Sequence, residues 1–118
     1  MEIFVDKDKM GQVLINLLSN AVKYSPDGGK IVVKGEVAED EYVISVQDEG
    51  IGMTKEQVSH IFEKFYRVDT SDSAIEGTGL GMSIVKHIVE AHQGRIWIKS
   101  KPGKGTCVYV GLPRQSNI

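Results

Sequence analysis

A single cysteine, Cys107, stands among 118 residues, so no disulfide can cross-link this chain internally. No apolar run approaches the roughly 20 residues that a membrane-spanning helix requires, and no signal-peptide pattern opens the sequence. An excess of positive charge is lacking too. Lys and Arg number 14 against 16 Asp and Glu, a formal net charge of −2, and the basic residues are scattered among acids rather than gathered in a stripe. The electrostatic footprint that phosphate-backbone binding needs is therefore missing, and nucleic acid is not an expected partner. Two widespread nucleotide signatures are also absent. There is no Gly-x-x-x-x-Gly-Lys-Ser/Thr loop, and the glycine stretch at Gly77 follows a polar run, Asp69-Thr70-Ser71-Asp72-Ser73-Ala74, where a dinucleotide fingerprint would need a strand. With 41% hydrophobic and 25% charged residues, the expectation is one soluble, cytoplasmic domain over 1–118, large enough to bury a core. The direct start at Met1-Glu2-Ile3 is what a domain cut from a longer protein would show.

What is present is an alternation of periodicities. From about Asp8 to Tyr24, Met10, Val13, Leu14, Leu17, Leu18 and Ala21 recur at helical spacing, which predicts an amphipathic helix ended by the turn cluster Ser25-Pro26-Asp27-Gly28-Gly29. Two β-branched runs, Lys30 to Val37 and Tyr42 to Gln47, flank the acidic link Ala38-Glu39-Asp40-Glu41 and predict an antiparallel hairpin. Period two places Tyr42, Ile44, Val46 and Asp48 on one face, so Asp48 is aimed where apolar residues go. Thr54-Lys55-Glu56-Gln57 has the form of a capping box, with Met53 and Val58 set as a hydrophobic staple, and predicts a short helix from Lys55. Gly79 to His92 carries Leu80, Ile84, Val85, Ile88 and Ala91 on one stripe, closed by Gln93-Gly94. Arg95 to Ser100 and Thr106 to Leu112 alternate as strands around Lys101-Pro102-Gly103-Lys104-Gly105. The order helix, hairpin, helices, hairpin predicts an α/β two-layer sandwich with helices on one face of the sheet.

The chemistry-bearing residues are concentrated. Asp48-Glu49-Gly50-Ile51-Gly52-Met53 puts a carboxylate at a strand end followed by a pair of glycines; Phe62-Glu63-Lys64-Phe65-Tyr66-Arg67 is an aromatic and basic cluster; Gly77-Thr78-Gly79-Leu80-Gly81 is a glycine loop opening a helix. Together they describe a nucleotide pocket. Free N–H groups and the positive dipole end at Gly79 and Gly81 suit phosphate, although a hinge is the plainer reading of the same glycines. On the first helix Asn16, Asn20 and Lys23 fall at i, i+4 and i+7, gathering amides and an ammonium on one stripe. Amide oxygens are hard ligands for a Mg²⁺ shared with phosphate, and the lysine neutralises phosphate charge. Either asparagine alone would be read as solvent-facing. The run from Arg67 to Glu76 is polar, lacks hydrophobic periodicity and reads as part of a lid at about 67–78, with Lys64 and Arg67 placed to meet phosphate or an acidic partner. Phe62, Phe65 and Tyr66 are expected to anchor it.

Asn16-Leu17-Leu18-Ser19-Asn20-Ala21-Val22-Lys23-Tyr24-Ser25-Pro26 resembles the N box of sensor histidine kinases, Asp48 to Gly52 their first glycine box, Phe62 to Arg67 their F box, Gly77 to Gly81 their second glycine box, and Gly103-Lys104-Gly105-Thr106 a third glycine element. The resemblance covers nearly the whole chain, with the motifs in order. It implies the Bergerat ATP-binding fold shared with gyrase, the mismatch-repair ATPase and the heat-shock chaperone: a mixed, largely antiparallel sheet backed by helices, with nucleotide under a mobile lid. It also implies a catalytic domain that binds ATP with Mg²⁺, yields ADP, and donates the γ-phosphoryl to a histidine on a separate dimerisation domain in two-component signalling. A response regulator, reached through the full-length kinase, is the further partner implied. The domain itself is expected to be monomeric, without direct membrane contact, whether or not the parent protein is membrane-anchored.

Under that resemblance the catalytic roles fall on Asn16, Asn20 and Lys23, with Asn20 and Asn16 as candidate metal ligands. Nucleotide contacts fall on these and on Tyr24, Asp48, Gly50, Gly52, Arg67, Gly77, Thr78, Gly79, Leu80, Gly81 and Thr106. Asp48 would accept from the adenine exocyclic amine, a contact that guanine would lose. Thr106 would reach the base through water, with a solvated strand threonine as an even competitor, and Tyr24 would pack near the base or simply fill the core. None of the histidines fits a phosphoacceptor followed by an acid, since His60 precedes Ile61, His87 precedes Ile88 and His92 precedes Gln93. A self-standing ATPase of the gyrase type, or an anti-sigma serine kinase, would carry a water-activating glutamate where this chain has Asn16, and an amide takes no proton at neutral pH. The anti-sigma kinases also lack the full F box. A nucleotide-binding interaction module without transfer activity is the remaining alternative.

Overall fold

The fold is described from a computed structural model that defines residues 5–63 and 81–114. The expected lid at 67–78, the F-box residues Lys64, Phe65, Tyr66 and Arg67, and the glycine-loop residues Gly77, Thr78, Gly79 and Leu80 lie outside the described residues. In chain order the elements are α1 (Lys7–Lys23), β1 (Ile31–Val37), β2 (Glu41–Asp48), α2 (Lys55–His60), α3 (Gly81–Ala91), β3 (Arg95–Ser100) and β4 (Thr106–Pro113). The strands form one sheet in the order β1-β2-β4-β3. Both sequence-local hairpins form, and β2 pairs with β4 to join them, so every pairing among the described strands is antiparallel.

Local signals explain most element ends. The Asp6 side chain caps α1 by accepting from Lys9 N at 3.0 Å. Thr54 and Gln57 complete the expected reciprocal capping box on α2. At the end of α3, Gln93 N donates to Glu90 O at 3.0 Å and Gly94 N to Val89 O at 2.9 Å, a Schellman pair. The left-handed position is Gln93, with φ of 57°. Gly94 is needed for a different reason: a Cβ there would lie 2.5 Å from Gly111 O.

Helices α1 and α3 pack on each other and on the inner sheet face, burying Met10, Val13, Leu17 and Ala21 from α1 with Met82, Val85, Ile88 and Val89 from α3 against Val46, Val110 and Leu112. At roughly 1.5–3 kcal/mol for each fully buried large aliphatic side chain, this seam is the main source of stability. The buried stripes are narrower than periodicity implied. Leu18 is 39% exposed, because it sits about 100° round the helix from Leu17 and leaves the seam. Ala91 is likewise exposed, while Met82 and Val89, outside the expected stripe of α3, are buried.

For the site, one consequence of topology matters most. Strand β2 ends at Asp48 and the antiparallel β4 begins at Thr106, with Gln47 opposite Cys107 in the register. The two polar residues are thus set side by side under the C-terminal half of α1.

Candidate functional site

Asp48 and Thr106 are the buried polar residues of the described core, 6% and 9% exposed. Oδ1 of Asp48 accepts from Gly50 N at 2.8 Å and from Thr106 N at 3.2 Å. Burial pushes the carboxyl above the ordinary aspartate range, and these N–H donors pull partly against that rise. Both bonds fall on Oδ1; among the described residues Oδ2 accepts none, which leaves it available to a donor from outside the protein.

The two residues stand together in the wall of a cavity of about 30 Å³. Leu17, Met53, Met82, Ile98 and Val108 supply apolar wall, and Asn20, Tyr24 and Gly52 also line it. That volume is close to one water's share of the liquid, roughly 30 Å³, and far below the ~300 Å³ at which small-molecule sites begin. A flat heterocycle therefore enters only if the walls yield, and flexible methionines such as Met53 and Met82 are suited to do so. A larger open groove of about 590 Å³ shares Ile98 and Thr106 with this cavity, but its charged lining, Lys55, Lys99, Lys101 and Lys104, is exposed and includes neither Asp48 nor Asn20. The buried carboxylate marks the smaller cavity as the candidate site.

Glycines hold the surrounding loops together. A Cβ on Gly50 would overlap the Tyr24 carbonyl, one on Gly52 the Lys101 carbonyl, and one on Gly105 the Asp48 carbonyl. What approaches these glycines is protein backbone. The same contacts are stitched by hydrogen bonds, Ile51 N to Tyr24 O at 2.9 Å and Gly103 N to Ile51 O at 2.7 Å. The end of the N box, the first glycine box and the β3–β4 turn therefore make one rigid rim. Ser100 ties the rim from beneath: its Oγ bonds Met53 N at 2.8 Å, Gly105 O at 2.9 Å and Thr106 Oγ1 at 2.8 Å.

The amide stripe lies along α1 beside this rim. Oδ1 of Asn20 is 3.9 Å from where a Cβ on Gly81 would stand, so its carboxamide adjoins the first described residue of α3. Asn16, one turn earlier, lies outside the cavity lining, yet its Nδ2 is buried with no hydrogen-bond partner among the described residues. Lys23 ends α1 half-buried and makes no ion pair among the described residues.

Of the residues expected from sequence, the fold brings Asn20, Tyr24, Asp48, Gly52 and Thr106 to one cavity, with Gly50 in its rim and Gly81 beside Asn20. Asn16 and Lys23 lie on α1 outside its lining. Arg67, Gly77, Thr78, Gly79 and Leu80 lie outside the described residues. Phe62 packs against the core, with Lys86 Nζ 5.8 Å from its ring centre. Sequence reasoning missed Ser100 and the methionine walls. Ser100 had a signal, since period two puts it on the same face as Ile96 and Ile98, an inward-facing hydroxyl at a strand end.

The sequence pattern of the histidine kinase-, DNA gyrase B-, and HSP90-like ATPases matches residues 5–116. Over 112 residues the chain is 49% identical to sensor histidine kinase WalK of Bacillus subtilis (strain 168), covering 92% of this chain and 18% of that protein. The chain thus spans less than a fifth of that relative's length. Among solved structures, the mycobacterial sensor histidine kinase MprB matches with a TM-score of 0.84 at 29% identity, covering 94% of this chain and 76% of that one. Full-length ShkA, solved in complex with AMPPNP, matches with a TM-score of 0.80 at 28% identity, covering 94% of this chain and 22% of that one.

Proposed function

This chain belongs to the histidine kinase-, DNA gyrase B-, and HSP90-like ATPase family as an ATP-binding catalytic domain of the sensor histidine kinase kind, and we propose that it holds ATP with Mg²⁺ and presents the γ-phosphoryl to a histidine on a separate dimerisation domain. The observation that carries this reading is the buried Asp48, fixed through Oδ1 and with Oδ2 unbonded among the described residues, beside an apolar cavity lined also by Asn20 and Tyr24. A carboxylate oxygen so placed accepts from the exocyclic amine of adenine and rejects a carbonyl there. Apolar walls take the ring faces.

The triphosphate then runs along the amide stripe toward the start of α3. Asn20 Oδ1 supplies a hard oxygen suited to Mg²⁺. The Nδ2 of Asn16, without a partner among the described residues, suits a phosphate oxygen, which favours a positioning role over metal ligation for that residue. Lys23, without an acidic partner among the described residues, supplies compensating charge. Mg²⁺, when bound, neutralises charge developing on the phosphoryl group. Catalysis here is positioning and electrostatics, with the nucleophile supplied from elsewhere.

One feature supports transfer over hydrolysis. Asn16 cannot deprotonate a water. His92 has both ring nitrogens bonded, Nε2 accepting from Asp6 N at 2.9 Å and Nδ1 donating to Ile88 O at 2.8 Å, so it is not placed as an acceptor of phosphate. Among the described residues no helix is long and apolar enough to cross a membrane. A response regulator is the proposed downstream partner, reached through the full-length kinase. Titration calorimetry of this domain with Mg²⁺ and either ATP or GTP tests the reading: selective binding of ATP is expected, and equal or absent binding overturns it.

A further inference from the structure

We infer that Ser100 sets the purine preference of this site by holding the Thr106 hydroxyl as a pure hydrogen-bond acceptor. The inference rests on the nucleotide reading above and assigns a positioning role to a residue that does not line the base cavity. Ser100 is the last residue of β3 and pairs in register with Thr106, the first of β4.

Proton counting gives the direction of each bond. A serine hydroxyl has one proton and two lone pairs. Gly105 O, 2.9 Å from Ser100 Oγ, can only accept, so the serine proton is committed there. Met53 N–H, 2.8 Å away, can only donate, and it occupies one lone pair. The contact of 2.8 Å to Thr106 Oγ1 must then run from threonine to serine, into the remaining lone pair. Thr106 has no second proton. Its Oγ1 keeps only lone pairs for the cavity that it lines with Asp48, whose carboxylate is likewise an acceptor when ionised.

The polar end of the cavity therefore offers acceptors side by side. A 6-amino purine carries two N–H bonds at that position, one for Asp48 and one for Thr106 in direct contact. A 6-oxo purine brings a carbonyl oxygen against the same lone pairs, and a buried acceptor facing acceptors is not compensated. Without Ser100 the threonine hydroxyl can rotate and donate to such a carbonyl. Ser100 thus acts on selectivity through Thr106, and its bonds to Met53 and Gly105 keep the surrounding loops in place while it does so.

ATP and inosine triphosphate differ at this edge of the base, and their affinity ratio at about pH 8, where an aspartate is ionised, reads the effect. Ser100→Ala should lower the ATP-over-ITP ratio about tenfold, the scale of one buried hydrogen bond. Ser100→Thr, which retains a hydroxyl, should keep it. In a Thr106→Val background the ratio should already be low, and adding Ser100→Ala should not change it further. A ratio unchanged by Ser100→Ala, with both affinities falling together, would mean that Ser100 only packs the rim and would overturn the inference. A wild-type domain that fails to bind ATP would instead overturn the nucleotide reading itself. NMR of the wild type is independent of mutant folding: the Thr106 hydroxyl proton should be protected from exchange and close to the Ser100 Cβ protons, and a freely exchanging proton overturns the inference.

Discussion

The backbone N–H of Thr106 donates to Oδ1 of Asp48 over 3.2 Å, joining residues 58 positions apart. The bond is a by-product of pairing β2 with β4, and it leaves the carboxylate buried and oriented, with Oδ2 accepting no bond among the described residues. Most of what can be tested about this domain follows from that geometry.

Replacing Asp48 with alanine should weaken ATP binding about ten- to a hundredfold, the loss of a charge-assisted hydrogen bond of roughly 1.5–3 kcal/mol. Asp48→Asn is the sharper variant. Its carbonyl oxygen can still accept from Gly50 N and Thr106 N, so the rim is kept, but its NH₂ now faces the adenine amine donor to donor. Calorimetry on both folded variants should show ATP affinity lost in each; wild-type affinity in Asp48→Asn would place the base elsewhere.

The raised pKa of Asp48 fixes a sign for pH dependence. Desolvation makes the folded domain hold this proton more tightly than the unfolded chain does. The folded state is thus favoured at low pH, and its advantage is lost as pH rises from the unfolded aspartate value through the raised folded one. Chemical denaturation of the free domain across that acid window should show Asp48→Asn gaining stability relative to wild type as pH rises. Glu41, held low by its hydrogen bond to Arg95, works in the opposite direction but is common to both proteins and cancels in the comparison. ATP affinity should climb with pH through the same window, because the amine of the base bonds the ionised carboxylate. Parallel denaturation curves for the two proteins would show that burial of this carboxyl has no energetic consequence.

Loop glycines should separate into distinct classes. Gly52 and Gly103 both have positive φ, 69° and 77°, but a Cβ on Gly52 overlaps the Lys101 carbonyl whereas one on Gly103 meets nothing within 4 Å. Gly103→Ala should cost about 1–2 kcal/mol from backbone conformation alone. Gly52→Ala should cost clearly more and should also loosen the rim, weakening nucleotide binding. Urea denaturation giving equal losses at the two positions would refute the close-approach explanation.

For the metal, Asn20→Ala should remove the magnesium dependence of ATP affinity while leaving the melting temperature of the free domain nearly unchanged. Asn16→Ala should leave the free domain as stable as wild type or more so, since it deletes a buried donor without a described partner, and should affect affinity less than it affects phosphoryl transfer. Thermal melts with and without Mg²⁺ and ATP read the stability and affinity outcomes, and radiolabel transfer to the parent kinase's dimerisation domain reads the last.

Phosphoryl transfer itself should need a second component. Radiolabelled ATP should neither label this domain nor be hydrolysed quickly by it, whereas adding the parent kinase's dimerisation domain should give acid-labile phosphohistidine on that added domain. Stable label on this domain alone would place an acceptor within its own residues.

Sequence alone determined what depends on near neighbours. Periodicity located both hairpins and the helices because each element must turn one face inward, and that alternation aimed Asp48 at the core. Thr54 and Gln57 announced their helix because a capping box is closed within a few residues. Motif order, carried by Asn16 to Pro26, Asp48 to Gly52 and Gly103 to Thr106, was enough to point to the family. Only the tertiary structure decided what depends on distant residues meeting. It set Leu18 and Ala91 outside the seam, because the width of a buried stripe is fixed by the partner helix and not by the stripe's own spacing. It showed that Gly50, Gly52 and Gly105 make room for other loops, because a Cβ clash involves a residue that chain order does not reveal. It joined Ser100 to Met53, Gly105 and Thr106, because the direction of a hydroxyl's hydrogen bonds follows from which partners the packed strands bring within reach.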